Sequence, residues 1–158
     1  MQYIKDLPKI KRKDQFFYFY PDSTVSEIAD MMDLKDIGAV PILDKENKLI
    51  GILSERDIVR KLVKNGRDSD LVTAEDIMTK EVKSATFQTK IIDAQLLMKK
   101  NNIRHLPIID SKNLLLNFVS QRDLIIRDVN NKKLILIFIT LILLFILITL
   151  IIKTWIII

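Results

Sequence analysis

Cysteine is absent from the chain, which excludes disulfides, thiolate metal sites and a cysteine nucleophile and suits a reducing compartment. Histidine occurs once, as His105, so histidine-based metal clusters and two-histidine chemistry are excluded too. Glycine is confined to Gly38, Gly51 and Gly66. Neither a G-x-G-x-x-G turn nor a G-x-x-x-x-G-K-[ST] phosphate loop can be written from those three positions. Carboxylates are plentiful, but no nucleophile–base pair or metal constellation can be assembled around them, and the sequence argues against an enzyme.

Net positive charge is also scarcer than the pI of about 9.4 suggests. Three of the 25 basic residues and none of the 20 acidic ones lie in 132–158, which leaves 22 basic against 20 acidic groups before it. A local cluster remains at Lys9, Lys11, Arg12 and Lys13. Without interleaved aromatics it reads as a solvated N-terminal tail over 1–14, and no nucleic-acid partner is expected. The opening MQYIKDLPKIKRKD has no apolar core of the kind a secretory signal carries.

Apolar residues, by contrast, are concentrated at the C-terminus. LILIFITLILLFILITLII, residues 134–152, contains no charge, and its only polar groups are the hydroxyls of Thr140 and Thr149. At 1.5 Å per residue such a helix covers roughly 28 Å, close to the thickness of a bilayer's hydrocarbon core. Lys132 and Lys133 precede the run, and Lys153 and Trp155 follow it as interfacial anchors would. The expectation is a single C-terminal membrane anchor over 132–158, in contact with lipid through 134–152, with the rest of the chain on the cytoplasmic side.

Residues 15–131 repeat themselves. Ser54-Glu-Arg-Asp57 returns as Ser120-Gln-Arg-Asp123, Asp44 as Asp110 and Pro41 as Pro107, all at an offset of 66. Thr24 and Ala29 pair with Thr89 and Ala94 at an offset of 65, which predicts one residue added inside the intervening helix. Each half reads β-α-β-β-α. In the first, FFYFY (16–20) is a strand ended by Pro21, and Thr24-Val-Ser-Glu27 is a capping box that starts a helix. AVPIL (39–43) and KLIGIL (48–53) then form a hairpin, and Ser54 opens another helix. The second half offers VKSAT (82–86), a helix from Thr89 to about Asn101, HLPII (105–109), LLLNFV (114–119) and a helix from Ser120. NGRDSD (65–70) is turn chemistry, and Thr73 caps a short linking helix. The fold class is α/β of the α+β kind, with repeats at 15–72 and 73–131.

IGAVPILD (37–44) with GILSERDIV (51–59), EDIMTKEV (75–82), and IRHLPIID (103–110) with FVSQRDL (118–124) together closely resemble a pair of CBS domains, the Bateman module. The resemblance covers 16 to about 128. It implies two β-α-β-β-α repeats packed about a pseudo-dyad, with clefts that accept AMP, ADP, ATP or S-adenosylmethionine, no required cofactor, and no catalysis. It also implies a homodimer that regulates an enzyme or membrane-protein target. On that resemblance Ser54 and Ser120 touch phosphate, Asp57 and Asp123 the ribose, and Thr24 and Thr89 the ligand near the neighbouring helix start. Backbone around Gly38, Ala39 and Val40, and around Arg104, His105 and Leu106, frames the adenine.

The residues themselves leave two readings open. A serine at a strand-to-helix junction presents a hydroxyl beside unpaired N–H groups, and an aspartate three residues on presents a carboxylate for a ribose diol. Ser-x-x-Asp is equally a capping-box variant, in which both side chains satisfy the helix start and nothing binds. Asn117 stands where the family prefers glycine. The alternative function is a ligand-free dimerisation or docking module for a membrane protein.

Overall fold

Thr24 begins a regular helix as the sequence predicts. Its hydroxyl accepts the Glu27 N–H at 3.2 Å, and the Glu27 carboxylate accepts the Thr24 N–H at 3.1 Å. The resulting helix α1 (Val25–Lys35) stops at Asp36, whose left-handed backbone (φ 50°) turns the chain out of the helix. Strands β1 (Ala39–Leu43) and β2 (Leu49–Ser54) follow as an antiparallel pair. Their turn is held by Asp44, whose Oδ1 accepts from the Glu46 and Lys48 N–H groups, and by Asn47 at φ 61°. A short α2 (Glu55–Asp57) runs on through a π turn (Ile58–Leu62) and a 3-10 turn (Val63–Asn65), and α3 (Ala74–Ile77) lies in the connection. The second half supplies α4 (Ile91–Asn101) and the antiparallel pair β3 (His105–Ile109) and β4 (Leu115–Ser120). The computed structural model describes residues 2–8, 10, 16–125, 136–146 and 148–149.

The repeat is regular at 66 residues through the helices as well as the strands. Buried Val25, Ile28 and Met32 of α1 correspond to Ile91, Ala94 and Met98 of α4. The left-handed residues Asp36 and Asn47 correspond to Asn102 and Asn113. The expected 65-residue offset is therefore corrected. Lys90, not Thr89, occupies the position of Thr24, and it makes no side-chain cap. The Thr89 hydroxyl instead accepts the Thr86 N–H.

Two expected strands shrink to single bridges. Phe19 exchanges hydrogen bonds with Pro41 and Leu43, and Ala85 with Pro107 and Ile109, in parallel. Phe17, Tyr18 and Tyr20 of FFYFY are exposed, so only Phe19 packs inward and nothing holds its neighbours in a ladder.

Each half has its own apolar core. In the first, α1, β1 and β2 close on Val72, Ala74, Ile77 and Met78 from the connection. Gly51 lets Met78 pack closely there, because a Cβ would stand 2.3 Å from the Met78 Sδ and the methionine would have to shift. In the second, α4, β3 and β4 close on Ile4 and Leu7. The N-terminal segment read as a solvated tail is thus built into the second core at these residues, with Ile4 N–H on the Thr89 carbonyl at 2.9 Å. Lys9, Lys11, Arg12 and Lys13 lie outside the described residues. The halves join at their hairpin turns, where Leu49 and Asn113, and Leu115 and Asn47, are linked by backbone hydrogen bonds and Asn113 Nδ2 donates to the Leu49 carbonyl at 2.9 Å.

Residues 2–125 belong to one compact unit, Met1–Ile125, and the described C-terminal helical residues to a second, Ile126–Ile158. In the second unit the hydroxyls of Thr140 and Thr149 donate to the carbonyls of Ile137 and Ile146. Among the described residues no helix is long and apolar enough to cross a membrane, and the rest of the expected anchor, at 132–135, 147 and 150–158, lies outside the described residues.

Candidate functional site

A cleft of about 980 Å3 opens between the halves of the first unit. Gly38, Ala39, Ser54 and Asp57 line it from one half, and Arg104, His105, Ser120 and Asp123 from the other. The cause is local. Ser54 and Ser120 are the last residues of β2 and β4, paired with Ala39 and His105 at the start of β1 and β3, so each hairpin delivers the open end of its ladder, one residue from each strand, to one wall. The Glu55 N–H on the Gly38 carbonyl, and the Gln121 N–H on that of Arg104, close the two corners alike. Four expected residues do not reach the cleft. Val40 and Leu106 are wholly buried in the cores, Thr24 is engaged at its helix start, and Thr89 is engaged with Thr86 in the turn before α4.

At Asp57 the capping box forms in full. Oδ2 accepts the Ser54 N–H at 3.0 Å and the Ser54 hydroxyl at 2.5 Å. Oδ1 accepts the Thr79 hydroxyl at 3.0 Å and pairs with Lys61 Nζ at 2.9 Å. Burial pushes this carboxyl upward, but the Ser54 and Lys61 hydrogen bonds, the Lys61 charge and the Thr79 hydroxyl outweigh it and hold the pKa below the ordinary aspartate value. Lys61 also donates to the Ile77 carbonyl at 2.7 Å, which ties the π turn to α3 in the segment between the repeats.

Asp123 repeats the inner half of this arrangement, with Oδ2 accepting the Ser120 N–H at 2.6 Å and the Ser120 hydroxyl at 2.9 Å. The His105 ring stacks on Phe118, with centroids 5.6 Å apart and planes 6° from parallel, whereas the corresponding positions in the first half are Ala39 and Ile52. Asn117 does not crowd the cleft. It is 5% exposed and its Oδ1 accepts the Phe118 N–H at 2.8 Å. Arg56 crosses between the halves to donate to the Asn102 carbonyl at 3.0 Å.

Lys61 and Thr79 are the site residues that sequence reasoning missed. A usable signal existed for one of them, since Lys61 is four residues beyond Asp57 and so falls on the same helical face. Thr79 reaches Asp57 only through tertiary packing, its backbone bridged to Ile52.

The CBS domain matches this sequence twice, over residues 4–64 and 74–130. An uncharacterized 17.7 kDa protein of Acidianus ambivalens is 40% identical over 104 residues, which are 66% of this chain; the chain spans 62% of that relative's length. The CBS domain-containing protein YhcV of Bacillus subtilis is 33% identical over 113 residues, 72% of this chain and 79% of YhcV. Among solved structures, the CBS domain pair of protein MJ0100 in complex with 5-methylthioadenosine and S-adenosyl-L-methionine superposes with a TM-score of 0.66 at 27% identity, covering 77% of this chain and 95% of that one.

Proposed function

Since the chain belongs to the CBS-domain family, we propose that it is a regulatory module that binds an adenosine-containing ligand, AMP, ADP, ATP or S-adenosylmethionine, in the cleft between its repeats. One observation carries the reading: both Ser-x-x-Asp constellations line a single cleft of about 980 Å3, at the upper end of the ~300–1,000 Å3 usual for small-molecule sites. Ser54 and Ser120 would meet phosphate, Asp57 and Asp123 ribose, and the Gly38–Ala39 and Arg104–His105 backbone the base. The structural relative that carries 5-methylthioadenosine and S-adenosyl-L-methionine supports the adenosine class. Ligand held by both halves would fix their relation and pass that to a partner.

The test is the melting temperature of the full chain against the four ligands. At a hundredfold excess over Kd, binding stabilises the folded state by about 2.7 kcal/mol. Asp57→Asn combined with Asp123→Asn should abolish the shift; no response in the unaltered chain overturns the reading.

A second reading, a ligand-free dimerisation or docking module, is favoured by the exposure of Ile92 and Leu96, one turn apart on α4, and of Val59 and Val63 beyond α2. A melting temperature indifferent to every ligand, in a chain that still self-associates, would select it.

A further inference from the structure

A carboxylate offers about four acceptor positions. At Asp57 four donors are already present: the Ser54 N–H and hydroxyl on Oδ2, and the Thr79 hydroxyl and Lys61 ammonium on Oδ1. The two on Oδ2 belong to the helix start and cannot leave without unmaking it. A sugar diol that reaches Asp57 must therefore displace Thr79 and Lys61 from Oδ1. Thr79 is a neutral hydroxyl whose backbone remains bridged to Ile52. Lys61 is a cation, and its displacement is the costly step.

Resting on the ribose reading of Asp57, we propose that Lys61 is a specificity-determining residue of the first-half site, an ammonium that yields Oδ1 to the sugar and pairs instead with an anionic group on the same ligand. Asp57 and Lys61 form a neutral pair at the edge of the cleft, the aspartate side chain 14% exposed and the lysine 41%. A neutral nucleoside that breaks this pair gives the half-exposed ammonium no anion in exchange for the carboxylate it loses. A phosphorylated nucleoside supplies a replacement, because both Lys61 and Ser54 line the same cleft. A sulfonium ligand adds a second cation beside the first. The selectivity predicted is for phosphorylated over neutral and cationic adenosine compounds. The π turn over Ile58–Leu62 sets the lysine's starting point, and its hydrogen bond to the Ile77 carbonyl breaks on displacement.

Adenosine and AMP share base and sugar and differ in the phosphate, so their affinity ratio isolates this effect. Calorimetric titration of the full chain should give AMP at least about tenfold tighter than adenosine, a factor equal to about 1.4 kcal/mol. Lys61→Met keeps the aliphatic stem and should weaken AMP while strengthening adenosine, collapsing the ratio toward one. Lys61→Arg keeps the cation and should retain a preference for AMP. An unchanged ratio in Lys61→Met, with both ligands still abolished by Asp57→Asn plus Asp123→Asn, overturns the role of Lys61 and leaves the ribose reading standing. Absence of binding by either ligand to the unaltered chain overturns both.

Discussion

A single carboxylate, that of Asp57, closes a helix start through Oδ2 and holds Thr79 and Lys61 through Oδ1, so the capping reading of Ser-x-x-Asp is met and a ligand would have to compete at Oδ1. Its protonation has a signed consequence. Burial alone would raise its pKa, but the Ser54 and Lys61 hydrogen bonds, the Lys61 charge and the Thr79 hydroxyl bring it below the model-peptide value of 3.8. A folded-state pKa below the unfolded one means that the contribution to stability is complete above the unfolded value and is lost as pH falls through the folded value. Asp57→Asn, which keeps the shape but not the charge, should therefore cost about 1–3 kcal/mol near neutral pH. The penalty should shrink as the medium is acidified below the unfolded aspartate value. Denaturant unfolding of both proteins along a pH series measures the difference directly. A penalty that stays constant with pH would show that the charge of Asp57 contributes nothing to the fold.

Among the elements, the two hairpins and α1 were legible because their chemistry is local: reciprocal capping at Thr24 and Glu27, aspartate-held turns at Asp44 and Asp110, alternating burial along β2. Thr89 misled for the opposite reason. It matches Thr24 by identity, but the apolar face Ile91, Ala94 and Met98 sets the start of α4 one residue later in the repeat. Ile4 and Leu7 were invisible as core because two apolar residues among charges carry no periodicity, and their partners lie far along the chain in α4 and β3. The site divides the same way. The repeated motif exposed Ser54, Asp57, Ser120 and Asp123, while Thr79 entered through tertiary packing alone. Thr24→Ala should accordingly cost about 1 kcal/mol in stability through the lost cap, and Thr89→Ala, whose hydroxyl caps no helix, less. Neither change should alter ligand affinity, since neither threonine lines the cleft. Paired unfolding and titration of the two variants checks this, and a loss of affinity in Thr24→Ala at constant fold would return that residue to the site.

For Met1–Ile125 as a whole, the relation of its halves is what a ligand can act upon. Each half has its own core, completed by a segment that precedes it or follows it in the chain, and the two are joined through the hairpin turns and the Arg56–Asn102 hydrogen bond. A ligand lodged in a cleft whose walls come from both repeats is released when either half opens. The amides of Leu53 in β2 and Val119 in β4, both fully buried, should then gain protection against hydrogen exchange together. At a hundredfold excess of ligand over Kd the slowing should reach about 100-fold in each, because linkage applies the same factor to every opening that abolishes binding. Protection confined to β2 would place the ligand on the Asp57 wall alone, and protection confined to β4 would place it on the Asp123 wall. Equal gains are what a module that reads its ligand through the union of two repeats requires, since only then does occupancy change the stability of the joint as well as that of one lobe.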